Sequence, residues 1–260
     1  MKLERRYVEK PWGRTRLPPM FDPPAGQRIG EVWFSSAAQL PLLAKYIFTS
    51  QPLSIQVHPD DAQAQERGLR SGKSECWYIL DAEPGATLGL GLKQVLTKAD
   101  LRAAAIDGSI EDLLKWRPVA AGDFIFVPSG TIHAIGGGIS LLEFQQNSDV
   151  TYRLYDFGRR RELHVEDGVQ VAAAVPFADE LVQNSFATEQ RVLVKGPHFT
   201  LVHTNEDALE DQLRWVMPLS GTVRSGEDIA GAGDCLLLGP GEALESRSAW
   251  MLIGTKTKPS

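Results

Sequence analysis

Four side chains of types that bind divalent metals lie on short segments whose spacing could bring them together: Gln56, His58, Glu75 and His133. Side chains alternate along an extended strand, so residues two apart, such as Gln56 and His58, share a face. Buried polar groups without partners are costly, and one divalent ion would satisfy all four. Zinc takes imidazole and carboxylate ligands and, in catalytic sites, keeps one position open for substrate. The set favours a metal site, although each histidine alone is more typical of a hydrogen-bonded core residue.

A second polar group occurs on residues 142–156. Alternation places Arg153 on a strand face that also carries an aromatic residue. An inward arginine requires an anion or a carboxylate nearby. Two interpretations remain open: a salt bridge to Glu143 or Asp149, or a clamp for an anion near the metal. The three arginines at residues 159–161 are more typical of a solvated turn than of a binding site.

Short strands would have to position these residues. The chain has 24 Gly and 16 Pro, and most of them separate short apolar runs, which predicts an all-β sandwich or barrel with few helices. A short helix is predicted with Pro59 at its first position. Sequences resembling capping boxes at Thr97 and Ser109 predict a helical insertion near residues 97–117 that ends close to Trp116. The predicted strands are residues 42–49, 53–58, 75–80, 124–127, 140–145, 151–155, 192–195, 199–203, 215–219, 235–238 and 250–253.

A faint internal repeat predicts two related β-barrels. Both copies run Ala-Gly-Asp, then an apolar strand, then a turn with Pro or Gly, and they occupy residues 121–130 and 232–241. Aligning the two halves puts Leu244 where His133 stands and Leu213 where Glu75 stands. The second half is therefore predicted to hold no metal.

Composition excludes several classes of protein. The 260 residues are 43% hydrophobic and 23% charged, which supplies a core and excludes a disordered chain. No apolar run approaches the ~18 to 20 residues of a membrane helix, and the net charge of −6 argues against a nucleic-acid-binding surface. Residues 1–12 lack the apolar run of a signal peptide, so we expect a cytoplasmic protein. Of the two cysteines, Cys76 alternates away from Glu75 and should not touch the metal.

Four motifs in one chain carry a resemblance to a known family. They are Ser54-Ile-Gln-Val-His-Pro-Asp-Asp61, Gly72-Lys-Ser-Glu-Cys-Trp-Tyr78, Val127-Pro-Ser-Gly-Thr-Ile-His-Ala-Ile135, and Leu142-Glu through Tyr152-Arg-Leu-Tyr-Asp156. Together with Gly30-Glu-Val-Trp33, they resemble the type I phosphomannose isomerases (mannose-6-phosphate isomerases), zinc enzymes of the cupin class, in their short bacterial form. The resemblance covers about residues 10–176 and is more specific than any single short motif.

The resemblance implies a double cupin, which consists of two jelly-roll β-barrels. Residues 1–175 would form the metal-binding barrel with the helical insertion, and residues 176–260 the metal-free one. The implied reaction interconverts mannose 6-phosphate and fructose 6-phosphate through an enediol, with one zinc ion as cofactor. The partner is thus a small sugar phosphate, bound by a monomer or small homo-oligomer.

The resemblance also implies residue roles. The implied zinc ligands are Gln56, His58, Glu75 and His133. The implied catalytic residues are Arg153, Glu143 and Lys73, and the implied substrate contacts are Ser54, Lys73 and Asp149. Glu143, Asp149 and Lys73 all remain candidates for the base.

Two other functions stay open. His58, Glu75 and His133 also form the two-histidine, one-carboxylate set of non-haem iron oxygenases. A non-catalytic sugar-binding cupin could use the same residues for binding alone. A fourth ligand at Gln56 and an inward Arg153 favour the isomerase.

Overall fold

The computed structural model describes residues 1–36, 38–184 and 189–257, which form four stacked β-sheets. Of the described residues, 44% lie in strands and 12% in helices, so the predicted all-β class with few helices is confirmed. The strands are β1 (Glu4–Arg14), β2 (Ile29–Ser35), β3 (Leu42–Phe48), β4 (Ile55–Val57), β5 (Glu75–Ala82), β6 (Thr87–Leu92), β7 (Leu114–Pro118), β8 (Asp123–Val127), β9 (His133–Ile135), β10 (Ile139–Gln146), β11 (Tyr152–Tyr155), β12 (Val182–Asn184), β13 (Arg191–Lys195), β14 (Phe199–Thr204), β15 (Arg214–Pro218), β16 (Thr222–Ser225), β17 (Asp228–Gly231), β18 (Leu236–Leu238), β19 (Glu245–Arg247) and β20 (Met251–Lys256). The helices are α1 (Asp61–Glu66), α2 (Lys98–Asp107), α3 (Ile110–Leu113) and α4 (Val165–Val171), with a 3-10 turn at Asp179–Leu181.

A seven-stranded sheet, in the order β1-β2-β3-β10-β5-β8-β12, lies at the centre of the molecule. Every residue of β3 and β10 is buried, because other sheets cover both faces. On one face it packs against a five-stranded sheet, β13-β14-β20-β15-β18, which we call the far sheet. There the Phe144 ring meets the rings of Phe199 and Trp215 edge-on, with centroids 5.4 and 5.9 Å apart. A single hydrophobic core joins these two sheets.

The other face of the central sheet packs against a second five-stranded sheet, β11-β4-β9-β6-β7. Apolar residues fill part of the space between them, among them Trp77, Ile79, Leu88 and Ile135. Helices α2 and α4 contribute to a core on the outer side of the second sheet. A three-stranded sheet, β17-β16-β19, packs against the far five-stranded sheet through a smaller core.

The internal repeat corresponds to the same turn in both halves. Gly122 and Gly233 each have a φ of 90°, which glycine adopts without strain. The carboxylate of Asp123 accepts the Ala120 N–H at 2.9 Å, and that of Asp234 accepts the Gly231 N–H at 3.0 Å. The division at residues 175 and 176 stays a prediction, and residues 185–188 and 258–260 of its second part lie outside the described residues.

Two helix predictions are corrected. Helix α1 begins at Asp61 rather than at Pro59, because Asp60 is its N-cap and forms a capping box with Gln63. The helical insertion ends at Leu113, and Ser109 makes no side-chain capping bond. Residues 114–118 form β7 and pair with β6, because apolar and charged residues alternate there with the period of a strand.

Candidate metal centre

Strands of the central sheet and of the β11-β4-β9-β6-β7 sheet bring His58, Glu75 and His133 together. His58 follows β4, Glu75 begins β5, and His133 begins β9. Each of these side chains is about 1% exposed, and their ligand atoms lie within 4.8 Å of one another. Within residues 1–36, 38–184 and 189–257, no other group of three or more His, Cys, Asp or Glu residues lies as close together.

Main-chain carbonyls fix both imidazole rings. His58 Nδ1 lies 2.7 Å from the Val150 carbonyl oxygen, and His133 Nδ1 lies 2.9 Å from that of Thr131. A carbonyl only accepts, so each Nδ1 carries the hydrogen and each Nε2 presents a lone pair. The Nε2 atoms lie 3.6 Å (His58) and 3.3 Å (His133) from the carboxylate oxygens of Glu75.

The three side chains supply electron pairs, and the nearest proton donor among the ion-pair partners is Lys73, whose Nζ lies 3.3 Å from His58 Nε2. Burial lowers the pKa of His133 to about 4 and that of His58 well below its usual value, so both rings are neutral near pH 7. Neither oxygen of Glu75 accepts a well-aligned hydrogen bond from the described residues, although Lys73 Nζ lies 2.7 Å from one of them. Two imidazole nitrogens and a carboxylate that converge in this way fit one divalent cation.

Gln56 lies beside the cluster but turns its amide nitrogen toward it. The Gln56 amide nitrogen is 3.3 Å from His133 Nε2, while its oxygen accepts a hydrogen bond from the Ser54 hydroxyl at 3.0 Å. The β4–β9 pairing places Gln56 directly opposite His133. The side-chain amide would have to rotate for its oxygen to become a ligand, so that role stays a prediction.

A cavity of about 260 Å³ opens beside the cluster and brings together the other predicted site residues. Lys73 and Glu143 are buried in its wall, with Nζ and a carboxylate oxygen 3.4 Å apart. Arg153 lies across from Gln56 in the β11–β4 pairing. The predicted residues that line this cavity are Ser54, Gln56, Lys73, Glu75, Glu143, Asp149 and Arg153.

A chain of ion pairs that no sequence pattern predicted continues from this wall. Glu143 pairs with Lys45 at 3.1 Å, Lys45 with Glu31 at 3.6 Å, and Glu31 with Lys10 at 3.1 Å. Lys45 and Glu31 are 4% and 6% exposed, so charges in a core flank the cavity. The signal that could have identified Lys45 is its position in Leu-Leu-Ala-Lys-Tyr-Ile-Phe, the otherwise apolar sequence of β3.

This chain of charges shifts the pKa of its carboxyl groups in opposite directions. Burial works against ionisation of Glu31, yet Lys45 and Lys10 bring its pKa down to about 2. Burial and the neighbouring Glu75 raise the pKa of Glu143. Glu143 is therefore a stronger base than an exposed carboxylate.

The arginines at residues 159–161 are not simply a solvated turn. Asp156, which is 2% exposed, accepts hydrogen bonds from both Arg159 and Arg161. Arg160 is exposed, whereas Arg161 reaches the wall of the cavity. The difference arises because a buried carboxylate, invisible in the sequence pattern, holds two of the three guanidinium groups.

Cys76 lies on the opposite face of β5 from Glu75, as the alternation predicts. It is buried in the core shared with the far sheet and donates its thiol hydrogen to the Phe144 carbonyl, with Sγ 3.4 Å from the oxygen. In the part of the chain that the structure describes, no helix is long and apolar enough to cross a membrane.

Comparison with known proteins agrees with the predicted resemblance. No protein-family model matches the chain. The chain is 44% identical over 179 residues to a mannose-6-phosphate isomerase of Streptococcus mutans, an alignment that covers 64% of this chain and 55% of the relative. It is 37% identical over 207 residues to mannose-6-phosphate isomerase ManA of Bacillus subtilis, covering 64% of this chain and 65% of the relative. The alignments thus span between about half and two thirds of these curated relatives.

A solved structure matches nearly the whole chain. The mannose 6-phosphate isomerase from Bacillus subtilis superposes with a TM-score of 0.81 at 26% identity, covering 97% of this chain and 98% of that one. The predicted resemblance and the predicted cupin fold are therefore confirmed.

Proposed function

We propose that the chain is a zinc-dependent isomerase that interconverts mannose 6-phosphate and fructose 6-phosphate. The observation that carries the proposal is the convergence of His58, Glu75 and His133 beside a cavity that Glu143 and Arg153 also line. The curated relatives that are named mannose-6-phosphate isomerase support the choice of substrate. The proposal includes the cytoplasm as the place of action.

Zinc would be held by His58, Glu75 and His133, with Gln56 as the candidate fourth ligand. When bound, the ion would act as a Lewis acid that polarises the substrate carbonyl. Lys73, 2.7 Å from Glu75, would hold that carboxylate in place and reach the substrate. Ser54 and Asp149 would contact sugar hydroxyls.

We infer that Glu143 is the base, because it lines the cavity and burial and Glu75 raise its pKa, while the ammonium groups of Lys45 and Lys73 favour its ionised form. It would take the proton from C2 of the open-chain aldose. The C–H electron pair then forms the C1–C2 double bond, and the carbonyl π pair moves to O1. Glu143 returns the proton to C1 as the C2–O2 double bond forms, and the O2 proton passes to O1.

Arg153 would stabilise the negative charge that develops on the enediolate oxygens. Its guanidinium is planar and permanently charged, which suits a delocalised anion. Arg161 would meet the phosphate, because its Nε and Nη2 are held by Asp156 while Nη1 takes no part in that contact.

A coupled assay for fructose 6-phosphate tests this proposal. We expect turnover of mannose 6-phosphate that is lost on chelation and restored by zinc. Glu75→Gln should lose both the bound metal and the activity, whereas Cys76→Ser, one residue away on the other face, should keep both. Stoichiometric zinc without turnover would contradict the isomerase and favour the binding cupin, and oxygen uptake with ferrous iron would favour the oxygenase.

A further inference from the structure

Arg153 lies on an edge strand, which leaves part of its backbone without a strand partner. Strand β11 is the outermost strand of its sheet, paired on one side with β4. The ladder is also irregular between Arg153 and Tyr155. Backbone N–H and C=O groups at such an edge need partners from elsewhere.

A single residue, His164, supplies both partners. The His164 N–H donates to the Arg153 carbonyl at 2.8 Å. The Arg153 N–H donates to His164 Nδ1 at 3.3 Å. The imidazole thus takes the place that a backbone carbonyl would occupy in an ordinary antiparallel pair.

The direction of the second bond determines the tautomer. A backbone N–H can only donate, so Nδ1 of His164 is the acceptor and carries no hydrogen. The neutral ring therefore has its hydrogen on Nε2. His164 also lines the same cavity as Arg153.

The same segment also contacts the charged end of Arg153. The Arg153 guanidinium donates from Nη1 to the Glu162 carbonyl at 3.3 Å. Residues 162–164 therefore contact Arg153 at its N–H, its carbonyl and its guanidinium. A residue held at these three points has little freedom to move its charge within the cavity.

Helix α4 brings His164 to this position. His164 is the N-cap of α4, a position that favours Ser, Thr, Asp or Asn, yet its side chain makes no capping bond. Within α4, a Cβ at Gly168 would lie 2.6 Å from the Leu154 side chain, so glycine permits the helix to approach β11 closely. The His164 side chain therefore accepts a hydrogen bond from Arg153 instead of capping the helix.

We infer that His164 is a positioning residue: its Nδ1 holds Arg153 in the orientation that the isomerisation requires. The inference rests on the proposed function of Arg153. Substitution by Asn or by Gln distinguishes the contributions of the two ring nitrogens. The Asn side-chain oxygen can take the place of Nδ1, and the Gln side-chain amide can take the place of Nε2.

The test compares His164→Asn, His164→Gln and His164→Ala in the zinc-loaded enzyme. We expect His164→Asn to keep kcat within about threefold, because it retains an acceptor for the Arg153 N–H. His164→Gln and His164→Ala should lose kcat by tenfold to a hundredfold with KM changed by less than threefold, since a small displacement of a catalytic group has effects of this size. His198→Gln, a histidine outside this cavity, serves as the matched control and should behave as wild type.

Three outcomes would overturn the inference. Full activity in His164→Ala would show that Arg153 needs no such support. Rescue by Gln rather than Asn would assign the function to Nε2. A nitrogen-15 spectrum of the wild-type protein at pH 8 that shows the His164 hydrogen on Nδ1 would also contradict it, without relying on any variant. Failure of wild-type turnover, in contrast, would count against the proposed function and not against this tautomer.

Discussion

At the scale of single residues, one part of the cavity wall is a row of buried charges of alternating sign, and each charge would be costly to bury without its neighbours. Lys45 lies between Glu143 and Glu31, at 3.1 and 3.6 Å, and is 4% exposed. Removing one member of a buried charged set leaves its partners uncompensated, which costs more than the set contributes as a whole. Substitutions along this chain should therefore affect both stability and activity.

Lys45→Met should lower the free energy of unfolding at pH 8 by roughly 3 kcal/mol, the low end for breaking a buried pair, since Glu31 keeps Lys10 and Glu143 keeps Lys73 as a partner. Urea unfolding followed by tryptophan fluorescence measures this. Lys93→Met removes an exposed lysine and is the matched control. An equally small change in the free energy of unfolding in both variants would show that Lys45 does not stabilise the two carboxylates.

Glu31 should make stability depend on pH in the acid range. Its pKa falls from 4.5 to about 2 on folding, so between these values the unfolded chain binds more protons than the folded one. The free energy of unfolding therefore decreases as pH falls through this window, by roughly 3 kcal/mol from this residue. Glu31→Gln should flatten the acid limb of a stability-against-pH curve, whereas Glu9→Gln, at an exposed position, should leave it unchanged.

The residues of the site were predictable to different degrees for a physical reason. Alternation places Gln56 and His58 on one strand face, and the resemblance of the four motifs adds Glu75 and His133 from two other strands. Lys45 lies opposite Glu143 in the pairing of β3 with β10, two strands that are distant in sequence, and no local pattern encodes that pairing. Arg161 could not be assigned to the cavity from the sequence, because nothing in the residue pattern indicates that its partner Asp156 is buried.

At the scale of elements, close packing between sheets sets limits that the sequence pattern does not show. In β20, a Cβ at Gly254 would lie 2.5 Å from the Phe144 ring. The glycine lets the far five-stranded sheet approach the central one through the aromatic core between them. Strand β7 is a second case. The sequence predicts a helical insertion that extends to about Trp116, and the alternation of residues 114–118 indicates a strand only when the end of the helix at Leu113 is known.

Gly254→Ala should cost about 1 to 3 kcal/mol of folding free energy, because the added methyl group overpacks the core against Phe144. Thermal and urea unfolding measure the loss. At Gly196 the nearest atom to an added Cβ is a side-chain carbon of Phe126 at 3.4 Å, so Gly196→Ala is the matched control and should be close to neutral. Comparable losses in both would mean that the sheets can separate to accept the methyl group.

At the scale of the whole molecule, the hydrophobic core between the central and far sheets takes residues from both halves of the chain. It includes Phe34 and Phe144 on one side and Phe199 and Trp215 on the other. The Met1 amino group also reaches the Leu237 carbonyl at 2.8 Å, joining the two halves again. The internal repeat identifies matching turns in the two halves, but the shared core depends on packing that no repeat reveals.

Unfolding should therefore be a single transition, although the predicted division at residues 175 and 176 describes two barrels. Calorimetry of the full chain should give equal calorimetric and van't Hoff enthalpies. Tryptophan fluorescence and far-ultraviolet circular dichroism should give the same midpoint. Two separated transitions would indicate that each barrel is stable without the other.

The carbonyl partners of His58 and His133 have a consequence for how the protein tolerates mutation. Val150 and Thr131 contribute main-chain oxygens, which every amino acid possesses. A substitution at position 131 or 150 therefore keeps the carbonyl that accepts the hydrogen bond from the imidazole. A substitution of His58 or His133, in contrast, removes the imidazole itself. In a library of variants, the substitutions that abolish the cluster should therefore fall mainly on His58, Glu75 and His133. Positions 131 and 150 should accept many residue types, provided that the backbone conformation is unchanged.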